Sequence, residues 1–271
     1  MTRDEAAPSN HTQQHGRLSA TPTGTGPDVV LLHSLLTDRG VWDRVVPALA
    51  EQRRVWAVDL PGWGDSDTAP PDIGIFAARV AAFLEQGGLE KKTAVVGNGL
   101  GAMVALALAA RHGARFGRLV LAGAAAWFPA DAARAFATMA ERVRKDGMAA
   151  VVDIAVARIF PDDYLRAHPD IREERRRVLL RTDPAAFITA CTALGHLDLR
   201  DDLATISNAT LIVVGDRDQA TPPARARELA DRIPAAQLTT LPDCAHAPQL
   251  QHPQAFLQAV GPFLGLDGVK P

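Results

Sequence analysis

The sequence predicts an α/β fold: a mostly parallel central sheet with helices on both faces and one helical insertion between two of its strands. Three observations carry that expectation. Short β-branched runs alternate with helical patterns along most of the chain, as parallel strands joined by helical crossovers do. From about Trp127 to Leu203 the alternation stops and only helical patterns remain. A strand-like run also ends in Gly97-Asn98-Gly99-Leu100-Gly101, directly before a helical stretch, which reads as a sharp strand-turn-helix junction.

Residues 1–26 are polar, rich in Thr, Gly and Pro, and lack an apolar core of signal-peptide type; they are expected to form a flexible tail. Val29–Leu32, Val55–Val58, Ala94–Val96, Leu119–Leu121, Leu211–Val214 and Leu238–Leu241 are the strand candidates. Between the first two, Val41, Trp42, Val45, Val46 and Leu49 recur at helical spacing. Phe76, Val80, Phe83 and Leu84 do the same before Gly87-Gly88 stops the pattern. Helices are also expected over 102–112, 223–232 and 253–264, and inside the insertion over Met139–Phe160 and Ile171–Leu180. The expected division is a tail at 1–26, a core built from 27–126 and 204–271, and a helical lid at 127–203. The alternative for that last segment is a second layer of core helices.

Composition excludes several function classes. At 271 residues, 47% hydrophobic and 22% charged, the chain suffices for one large domain. A net charge of −2 without a long basic run argues against nucleic acid as a partner. Cys191 and Cys244 are far apart and show no metal-ligand spacing, so free thiols are expected and no metal is implied. The longest apolar stretch, Ala102–Ala110, is far short of the ~20 residues a bilayer span needs. The expectation is a cytoplasmic monomer or homodimer that acts on a small-molecule substrate, away from membranes. No cofactor is called for, because the glycines at 97–101 lack the further spacing and the downstream acid of a dinucleotide fingerprint.

The chemistry-bearing residues fall at strand ends. Val29–Leu32 runs into His33, Ser34 and Leu35. Gly215-Asp216-Arg217-Asp218 follows the Leu211–Val214 run, and Asp243-Cys244-Ala245-His246 follows the last strand. A strand, a tight turn flanked by glycines and a helix form the setting of a nucleophile elbow, Gly-x-Ser-x-Gly, and elbow, acid and histidine come in the chain order of α/β-hydrolases. From about Pro27 to Leu264 the chain resembles that superfamily. Within it, Leu31–Asp38 and Ala193–Leu203 are similar to the 3-oxoadipate enol-lactonase and esterase group.

The resemblance implies an α/β-hydrolase fold with a helical lid, Asp218 as the acid and His246 as the base, with Asp216 as the competing acid. It implies an oxyanion hole made by the backbone amides of Leu35 and Leu100, with His33 organising that turn by hydrogen bonding. A carboxylate on one ring nitrogen fixes the imidazole tautomer and leaves the other nitrogen free to take a proton. Ser34, Trp127 and His196 are expected to line the substrate pocket, with Trp63, Ala124–Phe128, Phe160, Phe187, Leu194 and Leu197 as further candidates.

Gly99 departs from the pattern, because it stands at the apex where a hydrolase carries its serine. The apex conformation has positive φ, which glycine adopts freely, so losing the hydroxyl removes covalent chemistry there without endangering the fold. Ser34 and Cys244 are the nearest hydroxyl and thiol, but a substitute must reach the base and face the oxyanion amides, and neither is assigned that role. Three functions remain open. One is an enzyme whose His-Asp pair works on a lactone, an ester or an enolisable ketone without a serine nucleophile, as a hydrolase or as a lyase, isomerase or cyclase. The second is a serine hydrolase inactivated by a Ser-to-Gly change, and the third is a non-catalytic binding protein.

Overall fold

A computed structural model describes residues 16–89 and 92–267. A seven-stranded sheet runs in the order β1-β3-β2-β4-β5-β6-β7, with β1 (Ser19–Thr23), β2 (Asp28–Leu32), β3 (Arg54–Asp59), β4 (Ala94–Asn98), β5 (Arg118–Ala122), β6 (Ala209–Gly215) and β7 (Gln237–Leu241). Only β1 is antiparallel to its neighbour, β3; the other pairings are parallel. The inner strands are short and β-branched because both faces are covered. Val29, Val30, Leu31 and Leu32 are all buried, as are Val95, Val96 and the 119–122 run.

The helices are α1 (Val46–Ala50), α2 (Ile73–Gln86), α3 (Leu100–His112), α4 (Ala130–Asp146), α5 (Val152–Ile159), α6 (Asp162–Ala167), α7 (Pro169–Arg181), α8 (Pro184–Gly195), α9 (Pro223–Arg232), α10 (Pro248–Gln251) and α11 (Pro253–Leu264). Helix α3 is buried on every side from Leu100 to Ala109, and its Gly and Ala positions let it lie close against the sheet. Helix α2 covers it, its first turn capped by the Asp72 carboxylate, which accepts from the Ile75 amide at 2.9 Å. Helices α4 to α8 form the insertion between β5 and β6, where only helical patterns were expected. The pattern over Met139–Phe160 is two helices rather than one. Gly147, at φ 71°, ends α4, and a short 3-10 turn precedes α5.

Residues 1–15 lie outside the described part of the chain, but Ser19–Thr23, read as tail, forms strand β1. The segment is polar and its burial pattern runs outward, so it has no periodic apolar face for a sequence reading to detect. Its stability comes from backbone pairing with β3 and from ties to the loop after β3. The Ser66 hydroxyl accepts from the Ser19 amide at 2.8 Å and donates to the Asp59 carbonyl at 2.6 Å.

The strand order reverses between β2 and β4, which lie side by side although β3 separates them in sequence. Ligands of open α/β sheets bind outside the carboxyl ends of the strands at such a switch point. His33–Leu36, Gly99, Asp218 and His246 all follow the carboxyl ends of strands, namely β2, β4, β6 and β7.

Candidate active site

Strand β4 turns into α3 at Gly99, whose φ of 54° and ψ of −119° lie where side chains are strained. The flanking glycines are there for close approach. A Cβ on Gly97 would lie 2.4 Å from the Gly101 carbonyl oxygen, and one on Gly101 would lie 2.2 Å from that of Leu32. The elbow is therefore built as for a nucleophile, and its apex has none. Asn98, just before the apex, ties the turn to the histidine loop. Its Nδ2 donates to the carbonyls of His246 at 2.8 Å and Ala122 at 3.2 Å, and its Oδ1 accepts from Gln249 at 3.0 Å.

His246 and Asp218 meet as expected. The His246 Nδ1–H donates to Asp218 Oδ2 at 2.9 Å. The same oxygen accepts from the Thr221 hydroxyl at 2.8 Å, and Oδ1 accepts from the amides of Ala220 and Thr221 at 2.8 and 2.9 Å. Burial alone would raise the Asp218 carboxyl, but His246 and the Thr221 donors outweigh it and hold it below the ordinary carboxylate range. The carboxylate is thus charged, fully hydrogen-bonded and aimed at one ring nitrogen, which leaves Nε2 facing Gly99. Asp216 instead accepts from the Cys244 amide at 3.3 Å, so the competing acid is engaged elsewhere. Thr221 was not foreseen. Its signal is its position three residues after the acid, where a Thr can close a turn onto a carboxylate.

His33 holds the opposite wall. Its Nε2 accepts from the Leu60 amide at 3.0 Å, so Nδ1 carries the proton and donates to the Ser34 carbonyl at 2.9 Å. Complete burial lowers its pKa to about 4, against a weaker upward pull from the Ser34 carbonyl, so the ring is a neutral strut at ordinary pH. The Ser34 amide donates to the Thr37 hydroxyl at 3.1 Å. Among the described residues neither the Leu35 nor the Leu100 amide has an acceptor, and both residues line the cavity beside Gly99 and His246. Two unpaired amides, that of Leu100 at the start of α3 and that of Leu35 in the turn after β2, are suited to a developing oxyanion.

The cavity is narrow, about 50 Å³, with room for a few waters. Ser34, Leu36, Met103, Phe128, Phe136, Met139, Leu194, Arg158, Ala220 and Thr221 complete its lining. Ser34, Phe128 and Leu194 were foreseen; Phe136, Met139 and Arg158 come from the insertion and follow from how its helices lie on the sheet.

Two expected pocket residues are elsewhere. Trp127 donates its Nε1–H to Glu228 at 2.8 Å and is flanked by the guanidinium groups of Arg200 and Arg225, at 4.6 and 4.3 Å from its ring, a polar clamp away from the cavity. His196 is exposed at the end of α8, its Nδ1 on the Thr192 carbonyl at 3.0 Å. Among the further candidates, Trp63 packs on His33 and Phe187 is core. Cys244 is no substitute nucleophile, since burial, then Asp218 and Asp216, push its thiol up to about 12. Among the described residues no group of three or more His, Cys, Asp or Glu is gathered as a metal site, and no helix is long and apolar enough to cross a membrane.

Comparison with known proteins bears on the family and the fold. The chain is similar to the pimeloyl-acyl-carrier-protein methyl ester esterase of Aeromonas hydrophila subsp. hydrophila, with 32% identity over 253 residues, covering 89% of this chain and 97% of that protein. It is similar to 3-oxoadipate enol-lactonase 1 of Acinetobacter baylyi, at 29% identity over 242 residues and 88% of each chain. Among solved structures, the enol-lactonase from Burkholderia xenovorans LB400 superimposes with a TM-score of 0.86 at 29% identity, over 93% of this chain and 98% of that one. The likeness to the enol-lactonase and esterase group carried by residues 31–38 and 193–203 thus extends over most of the chain. Residues 29–259 match the alpha/beta hydrolase family, and the chain belongs to that family as a hydrolase-type enzyme of its esterase and lactonase kind.

Proposed function

We propose that this enzyme hydrolyses a carboxylic ester or lactone by general acid/base chemistry, with His246 as base, Asp218 as its orienting acid and the Leu35 and Leu100 amides as the oxyanion hole. The observation that carries the reading is the pairing of a buried, charged Asp218 with His246 at 2.9 Å, beside two amides with no acceptor. A binding pocket has no use for a tautomer-fixed imidazole aimed at unpaired donors. Nε2 removes a proton from the attacking hydroxyl as the substrate carbonyl oxygen becomes an oxyanion on the amides. The imidazolium, stabilised by Asp218, then returns the proton to the leaving alkoxide. Hydrolysis consumes water, and position 99 contributes no atom beyond its backbone. The names of the relatives, a methyl ester esterase and an enol-lactonase, favour ester or lactone over an enolisable ketone.

Insertion helices α4 to α8 act as a lid, since Phe136, Met139 and Arg158 close a cavity too small for an extended substrate. The enzyme is read as cytoplasmic, a monomer or homodimer, and in need of no cofactor.

The test is a panel of aryl esters, five- and six-membered lactones and enolisable ketones, assayed with the parent protein and Asp218→Asn. Turnover of an ester or lactone that falls by about 10²-fold or more in the variant is expected. Equal turnover by both proteins, or activity confined to the ketones, would count against the reading.

A further inference from the structure

The space left by the missing side chain at position 99 is occupied. A Cβ built there would lie 2.3 Å from the Ser34 Oγ and 2.9 Å from the Ser34 Cβ, and 2.9 Å from the His246 Nε2. The Ser34 hydroxyl and the free nitrogen of the base therefore converge on the point where an elbow serine would carry its side chain. We propose that Ser34 supplies the nucleophilic hydroxyl that position 99 lacks, so that hydrolysis runs through an acyl-Ser34 intermediate. This rests on the reading of His246 as general base.

Four features of the site support the assignment. Ser34 is almost wholly buried yet lines the catalytic cavity with Gly99, Leu100 and His246. Among the described residues its Oγ has no hydrogen-bond partner, whereas its backbone is held on three sides. The Ser34 amide bonds the Thr37 hydroxyl, and the Ser34 carbonyl accepts from both that hydroxyl, at 3.2 Å, and from His33. A fixed backbone carrying an unengaged hydroxyl is what a nucleophile requires, and rotation about χ1 is unopposed by any bond. No hydrogen bond joins Oγ to Nε2 in this structure; that bond is expected to tighten when substrate fills the cavity. Finally, the oxyanion donors flank the hydroxyl, Leu35 being the next residue in the chain and Leu100 the next after the apex.

The steps balance without an added reagent. Nε2 takes the Oγ proton as Oγ bonds to the carbonyl carbon, and the carbonyl electron pair moves to the oxygen held by the two amides. Collapse breaks the bond to the alkoxy oxygen, which leaves with the proton from His246. Water then attacks the acyl-Ser34 ester with the same base. The carboxylic acid departs, and Oγ regains its proton.

The test is peptide mapping after treatment with an alkyl fluorophosphonate, together with p-nitrophenyl acetate kinetics. The expected result is one phosphonyl group on the peptide that contains Ser34. Ser34→Ala should lose the adduct and lower kcat on the order of 10³-fold while keeping its circular dichroism spectrum and melting temperature. Adding Gly99→Ser to that variant should move the adduct to position 99. An unlabelled parent protein, or full turnover by Ser34→Ala, overturns the assignment. Should His246→Ala still abolish turnover in that event, direct attack by His246-activated water stands and only the Ser34 step falls. Undiminished turnover in His246→Ala as well would remove the hydrolase reading along with it.

Discussion

Gly99 and His33 show how single residues set what this site can do. At Gly99 the backbone conformation costs glycine little, whereas a side chain would be strained by about 1–3 kcal/mol. A Cβ there would also meet Ser34 and His246. Glycine at the apex thus avoids that strain, and the Ser34 hydroxyl lies where a side chain would need room. His33 is a strut whose value depends on its being neutral. Its pKa falls from an ordinary 6.5 to about 4 in the folded protein. The unfolded chain therefore binds a proton that the folded one refuses, and stability is lost as pH falls through that window. Between pH 7 and pH 4 this amounts to about 3 kcal/mol. Urea unfolding at the two pH values should show a loss smaller by about that amount in His33→Asn; equal losses would show that His33 takes up its proton without opposition.

The elements differ in how far their sequences declare them. Strands β2, β4, β5 and β6 announce themselves because burial on both faces demands continuous apolar runs, and the elbow does so because Gly97 and Gly101 are required by contacts under 2.5 Å. The pairing of Asp218 with His246 was legible from chain order, since each follows the carboxyl end of a strand. Strand β1 was not, because it pairs through its backbone and turns polar side chains outward. It nonetheless covers the edge of β3 and anchors the loop that carries Leu60, the donor to His33. Deleting residues 1–24 should lower the unfolding free energy by about 1 kcal/mol per lost hydrogen bond and promote self-association through the bared edge. Denaturant titration and light scattering would check it, with unchanged values in both telling against a structural role. Trp127 was misplaced for a related reason: an aromatic residue beyond a strand end is directed by its long-range partner, here Glu228, which local sequence does not reveal.

At the scale of the whole molecule, the sheet carries the groups of the proposed mechanism and the insertion supplies much of the cavity wall. Ser34, Gly99, Asp218 and His246 hang from four strand ends, while Phe128, Phe136, Met139, Arg158 and Leu194 enclose them. The His246 amide itself donates to the Ile159 carbonyl on α5 at 3.3 Å, so the base and the insertion are joined. Phe136, Met139 and Arg158 escaped sequence reading because helical spacing alone does not tell which face of an inserted helix meets the cavity. With glycine at the elbow apex, the site holds an oriented imidazole beside two amides that have no acceptor among the described residues. The most direct measurement of whether that suffices is kcat/KM for the best ester or lactone substrate in the parent protein and in His246→Ala, with the fold of both verified by circular dichroism. A fall on the order of 10²–10⁴-fold is expected for a general base; an unchanged kcat/KM would contradict the central role of His246.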